Sequence, residues 1–113
     1  MISRFEEIIA WKKAISLGKD IYSMFDGSRD YGFLDQIHRA VVSISNNIAE
    51  GFERKTNNEF KQFLYISKGS CGEVRSMIYL AKELEMINEE QMTDVVKRTE
   101  EISKMLSGLI KTL

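Results

Sequence analysis

The sequence predicts an all-α protein that folds as a single four-helix bundle. Apolar residues recur at spacings of three and four in four segments, and no segment shows the alternation that a β-strand requires. Proline is absent from all 113 residues, so the strongest helix breaker is missing. Short connections favour antiparallel neighbours and therefore an up-down-up-down arrangement. We expect one domain over residues 1–113, with helices at about 4–25, 31–53, 57–86 and 89–112.

The first helix is predicted from a capping pair and a wide apolar stripe. Ser3 and Glu6 have the spacing of a capping box, in which each side chain reaches the backbone of the other residue. Gly27 then allows a left-handed helix end. The stripe consists of Ile8, Trp11, Ile15, Gly18, Tyr22 and Phe25.

The second helix is predicted to begin after Ser28 or Asp30, because the side chain of either residue can cap a helix. Its stripe consists of Leu34, Ile37, Val41, Ile44, Ile48 and Phe52.

The third and fourth helices each begin at a predicted capping box, formed by Thr56 with Glu59 and by Asn88 with Gln91. The third stripe consists of Phe60, Phe63, Ser67, Cys71, Val74, Ile78, Ala81 and Leu84. The fourth consists of Met92, Val95, Thr99, Ile102, Leu106, Leu109 and Leu113.

Composition argues against several classes of function. The net charge of −1 gives no overall attraction to nucleic acid or to an anionic membrane. No apolar run reaches ~18 residues and the first residues do not resemble a signal peptide, so we expect a soluble, cytoplasmic protein that does not enter a membrane. The single cysteine, Cys71, and the single histidine, His38, offer no disulfide, metal site or nucleophile with a base. We therefore expect no enzymatic activity, no metal and no cofactor.

A stripe of polar side chains runs along one side of the second helix, within a narrow sector at about 100° per residue. Its members are Gln36, Arg39, Ser43, Asn47, Glu50 and Arg54. Ala40 and Gly51 flank the stripe with very little side-chain bulk, which allows a close neighbour. Short hydrogen-bonding residues such as Ser43 and Asn47 suit a half-buried polar network better than open solvent. The stripe is therefore interpreted either as a solvated face or as a polar packing face against another helix or subunit.

Two segments carry a resemblance to a known family. Residues 36–54, QIHRAVVSISNNIAEGFER, and residues 60–73, FKQFLYISKGSCGE, are similar to the bacterial 23S rRNA-intervening-sequence proteins. The resemblance implies a four-helix bundle that assembles as a homopentameric ring. The family includes the accessory variability proteins of diversity-generating retroelements, which bind nucleic acid and associate with a reverse transcriptase. RNA or DNA and a partner protein of that kind are thus the implied partners.

Two positions depart from the pattern of the family. Ser45 stands where the family often has a proline, so a kink in the second helix would be weaker here. His38 stands where a basic residue is common, and the slightly acidic net charge differs from the basic composition of the nucleic-acid-binding relatives.

Basic residues recur every seven positions along the third helix, at Lys61, Lys68, Arg75 and Lys82. A step of seven residues drifts only ~20° around the helix axis. They form one row over roughly 30 Å. Tyr65 and Tyr79 lie in the same sector, so the row is suited to contact phosphates while the rings stack on bases. The alternative is a solubilising surface whose side-chain stems cover apolar edges. The predicted nucleic-acid contacts are Arg54, Lys55, Lys61, Lys68, Arg75 and Lys82.

Small residues cluster in the middle of the third helix, in the segment SKGSCG at residues 67–72. Each glycine in a helix interior costs roughly 1 kcal/mol, so the segment is interpreted as a notch for close approach of another backbone. Cys71 is expected to be a small core residue, and Glu50 is expected to form an ion pair with Arg54 on its own stripe.

The sequence leaves two alternative functions open. The first is an oligomeric accessory protein that binds RNA or DNA through the basic row. The second is an oligomeric scaffold that binds only protein. Their dependence on salt separates them, because phosphate binding weakens steeply as salt rises.

Overall fold

The computed structural model describes all residues from Met1 to Leu113 and contains helices without any strand. A 3₁₀ turn at Phe5–Glu7 precedes four helices. They are α1 (Ile9–Met24), α2 (Tyr31–Phe52), α3 (Asn57–Glu83) and α4 (Glu89–Lys111). No helix is long and apolar enough to cross a membrane.

The helix starts agree with the capping predictions except at the first helix and in one half of the predicted box at Thr56, where the Glu59 carboxylate accepts from the Thr56 hydroxyl and not from its backbone N–H. Asn88 and Gln91 form the full capping box, with the Gln91 backbone N–H donating to Asn88 Oδ1 over 2.8 Å. The side chains of Thr56 and Asp30 cap α3 and α2. Before α1, however, the Ser3 backbone N–H donates to Glu7 Oε1, and the turn at Phe5–Glu7 ends at Ile8.

The predicted start of the first helix at residue 4 was therefore wrong, as was its capping pair of Ser3 with Glu6. Ile8 has an extended backbone, with φ −72° and ψ 119°, and its side chain is buried. Burying this side chain places an extended residue between the 3₁₀ turn and α1. The other helices begin within a residue or so of their predicted starts, although α3 ends at Glu83.

Each helix contacts two of the other three, α1 and α3 both lying against α2 and α4. The helices enclose one core of 23 buried apolar residues, to which all four contribute. The largest of these side chains are aliphatic, such as Leu17, Ile44, Leu64 and Leu106. Their burial supplies the main favourable term in the folding of such a bundle.

Two residues of the predicted first stripe lie outside this core. Ile15 and Tyr22 remain 47% and 46% exposed, and Tyr22 lies at the contact between α1 and α2. The Tyr22 ring stacks there on the His38 ring, with centroids 3.8 Å apart. The apolar stripe predicted for the first helix is therefore wider than the face of α1 that α2 and α4 cover.

Candidate nucleic-acid interface

The predicted polar stripe of α2 divides between the contact with α3 and the protein surface. Ser43 and Asn47 lie at the contact: Ser70 Oγ of α3 donates to Ser43 Oγ over 2.9 Å, and Asn47 Nδ2 donates to the same hydroxyl over 2.8 Å. Gln36, Arg39 and Glu50 are exposed. Deeper in the same contact, Ser67 Oγ donates to the Ile44 backbone carbonyl over 2.8 Å.

Gly51 and Ala40 allow α2 and α3 to approach closely. Both residues are buried, and a Cβ atom at Gly51 would lie 2.6 Å from the Phe63 Cβ atom. The small and polar residues of α2 therefore fix the position of α3 and, with it, the position of the basic row.

Arg54 is engaged within the molecule. Its guanidinium pairs with Glu59 over 3.2 Å and lies 5.2 Å from the centre of the Phe63 ring. The expected pair with Glu50 is not formed, because α2 ends at Phe52 and the chain then turns Arg54 towards the first turn of α3. Lys55 is exposed beside it in the connection.

The basic row of α3 lies beside α4 and borders a groove that is formed mainly by α4. Lys68 Nζ donates to Ser107 Oγ of α4 over 2.7 Å. Arg75 lines the same groove, and Lys61 and Lys82 extend the row in both directions, all four side chains being half-buried. Half-burial fits side chains whose stems pack along the helix contact while the charged ends reach solvent.

The α4 side of the groove was missed by the reasoning from sequence. Lys104 and Lys111, again seven residues apart, line with Arg75 a space of about 520 Å³ that has no hydrophobic lining, and Lys68 reaches its edge through the bond to Ser107. Ser103, Ser107 and Gly108 form its small, polar floor. The heptad spacing on α4 was visible in the sequence, but only the register of α3 on α4 places the two rows together.

The cations of the α3 row and of the groove have no carboxylate partners. None of Lys61, Lys68, Arg75, Lys82, Lys104 and Lys111 takes part in an ion pair. Glu100 lines the groove, yet it also forms no pair.

On the side of α4 that faces α1, the side chains of Arg98 and Glu101 form ion pairs. Arg98 pairs with Asp20 at 2.8 Å and Glu101 pairs with Lys13 at 2.7 Å. On the α3 side of α4, by contrast, Lys104 and Lys111 are unpaired, and like charges placed close together attract anions.

The middle of α3 differs from the expected notch. Ser67, Ser70 and Cys71 are buried, but a Cβ atom at Gly69 or Gly72 would meet nothing within 4 Å. The serines pack against α2, whereas the two glycines face open space. No other helix of this chain requires them.

Cys71 is fully buried in the core, as expected for a small core residue. Burial raises the pKa of its thiol to about 12, although Arg75 and Lys68 oppose the shift. His38 does not activate it, because that ring stacks on Tyr22. No group of three or more His, Cys, Asp or Glu side chains is placed to hold a metal ion.

The raised pKa predicts an unreactive thiol. At pH 8 the folded protein is expected to resist alkylation by N-ethylmaleimide, whereas protein in denaturant at the same pH reacts at the rate of an ordinary cysteine, because the thiolate is the reactive form. Reactivity of the folded protein should rise only as pH approaches 12. Mass spectrometry of timed samples measures this, and equal rates in both states would contradict the burial of Cys71.

Comparison with known proteins gives a family and a fold. The family model described as 23S rRNA-intervening sequence protein matches residues 6–108. A crystal structure of a protein of unknown function, from the S23 ribosomal protein family of Bacteroides thetaiotaomicron VPI-5482, superposes with a TM-score of 0.84 at 23% identity. The match covers 91% of this chain and 99% of that one. Among curated proteins, none matches this sequence.

Proposed function

The chain belongs to the 23S rRNA-intervening sequence protein family, and on that premise we propose that it is a non-enzymatic, oligomeric accessory protein that binds RNA or DNA. The observation that carries this proposal is the groove between α3 and α4, where Lys68, Arg75, Lys104 and Lys111 have no carboxylate partners. Phosphates neutralise such cations and release counterions, which makes the association favourable at low salt.

The net charge of −1 does not oppose this function. Exposed charges separated by more than about 10 Å are largely screened at ordinary ionic strength, so a bound backbone responds mainly to the groove beside it. Asp20, Glu59 and Glu101 are paired with Arg98, Arg54 and Lys13 and therefore do not neutralise the cations of the groove.

The bundle is the building block of this proposal, with its helices running up-down-up-down and antiparallel and with the copies forming a ring of five. Short connections support the direction of the helices. Exposed apolar side chains on the α1–α2 side, Ile15, Tyr22 and Val42, support an association between copies.

A ring would repeat the groove once per subunit. Several weak sites on one particle bind a single long strand much more tightly than one site does, because each later contact is intramolecular. A partner protein such as a reverse transcriptase would then meet the nucleic acid on an already assembled platform.

A protein-only scaffold is the second candidate. It is favoured by Gly69 and Gly72, whose open surroundings on α3 leave room for a helix of another molecule. In that case the basic groove would only keep the protein in solution.

Light scattering on the eluate of a size-exclusion column tests the proposed function. The protein is run alone and with a mixed pool of RNA and single-stranded DNA at low salt, and then at high salt. We expect a mass of about five chains that increases with the nucleic acid and returns to its starting value at high salt. A ring whose mass never changes would leave the protein-only scaffold as the remaining candidate function. A mass of one chain would contradict the proposed ring.

A further inference from the structure

The α3 row alternates basic and aromatic residues in an order that occurs twice. Residues 61–68 read KQFLYISK and residues 75–82 read RSMIYLAK. In each, a tyrosine follows one basic residue by four positions and precedes the next by three. Residues at these separations are neighbours on a helix surface, so Tyr65 and Tyr79 each stand between two cations of the row.

Both rings are available to a ligand. Tyr65 is 59% exposed and Tyr79 is 47% exposed, and neither ring stacks on another aromatic side chain of the chain. Tyr65 shares a shallow surface depression with Lys61 and Gln62. At about 100° per residue, Tyr65 and Tyr79 lie within about 60° of Lys68 around the axis of α3, whereas the exposed Ile66 and Leu80 lie more than about 100° from it.

We infer that the ligand of this surface is a single strand, with its phosphates along the α3–α4 groove and its bases turned outward over Tyr65 and Tyr79. This inference rests on the proposed function and names the nucleic-acid class. An exposed ring between two cations stacks on a base that is unpaired, because the bases of a duplex already stack on one another. The two rings lie 14 residues apart, which is about 21 Å along the helix.

The shape of the protein also favours a single strand. Readout of a duplex uses a helix, a β-ribbon or an arm that enters a groove of the nucleic acid. Here the connections between helices are short and the cations line a recess between two packed helices. A recess of this kind follows one sugar-phosphate backbone more closely than it follows a rigid duplex.

The first experiment measures fluorescence anisotropy of a labelled 20-nucleotide oligo-dT and of a 20-base-pair duplex, both at low salt. The wild-type protein is expected to bind the single strand at least about tenfold more tightly, because a stacked base contributes about that factor. No binding to either probe would overturn the proposed function and this inference with it. Equal affinity for both probes would overturn the inference alone.

Variants then locate the strand. The double substitution Lys104→Glu with Lys111→Glu is expected to weaken oligo-dT binding by about tenfold or more. The matched control is Lys12→Glu with Lys19→Glu, which makes the same charge change at exposed, unpaired positions seven residues apart on α1. It should leave binding within about twofold of wild type. Equal losses in both variants would contradict the groove as the site.

The rings are tested separately from the charges. Tyr65→Ala with Tyr79→Ala is expected to weaken oligo-dT binding by about tenfold or more, while the corresponding Phe variants keep the wild-type affinity. Tyr31, 71% exposed at the start of α2, serves as the control position for an alanine substitution. Circular dichroism confirms that each variant is folded. If the Ala variants bind oligo-dT as wild type does, the strand does not stack on α3.

Discussion

Replacing Leu64 by alanine is expected to lower the free energy of unfolding by about 2–5 kcal/mol, the range for truncating a fully buried leucine. Leu64 is 0% exposed and belongs to the α3 face of the core. The substitution removes buried methyl groups and leaves a cavity that the neighbouring helices fill only in part. Urea unfolding followed by circular dichroism measures the change, at one fixed protein concentration because the proposed association of subunits would also affect stability.

The same substitution at Leu80 is the matched control. Leu80 lies on α3 as well but is 49% exposed, so its truncation should change the free energy of unfolding by no more than about 0.5 kcal/mol. The contrast between two leucines of one helix tests which face of α3 is packed. A loss at Leu80 as large as at Leu64 would mean that this surface is covered in the assembled protein.

Replacing Gly51 by alanine is expected to destabilise the protein by about 1–3 kcal/mol through overpacking. The new Cβ atom would lie 2.6 Å from Phe63 Cβ, 3.0 Å from Phe60 Cδ1 and 3.3 Å from the Phe60 backbone oxygen. Since backbone and Cβ atoms cannot rotate away, α2 and α3 would have to separate. Better helix propensity of alanine, worth about 1 kcal/mol, offsets only part of this cost.

Replacing Gly69 by alanine is expected to have the opposite effect on stability. A Cβ atom there meets nothing within 4 Å, so the gain in helix propensity should raise stability by up to about 1 kcal/mol. Thermal unfolding of both variants compares the two sites directly. Stabilisation by alanine at Gly51 would contradict the close contact of α2 with α3.

Local patterns predicted the four helices and most of their ends. The apolar spacing, the caps at Asp30, Thr56 and Asn88 and the left-handed Gly27 are all properties of a few neighbouring residues, and the structure confirms them. The start of α1 was wrong because Ile8 takes an extended backbone to reach the core, which is a tertiary effect.

The candidate site was predictable only in part. The row on α3 follows from spacing within one helix, but the facing Lys104 and Lys111 depend on how α4 is registered against α3. Likewise, the pairing of Arg54 with Glu59 depends on the turn between two helices. Interactions between elements are set by packing across the whole bundle, which a periodic pattern within one element does not specify.

The dependence of oligo-dT affinity on salt tests the central claim most directly, namely that the α3–α4 groove binds phosphates. Each phosphate neutralised on a single strand adds about −0.7 to the slope of log affinity against log salt, so four groove cations predict a slope of about −3 or steeper. The K104E/K111E variant should show a slope that is shallower by about 1.4, since two phosphate contacts of about 0.7 each are lost. A slope near zero, or the same slope in the variant as in the wild type, would contradict the claim.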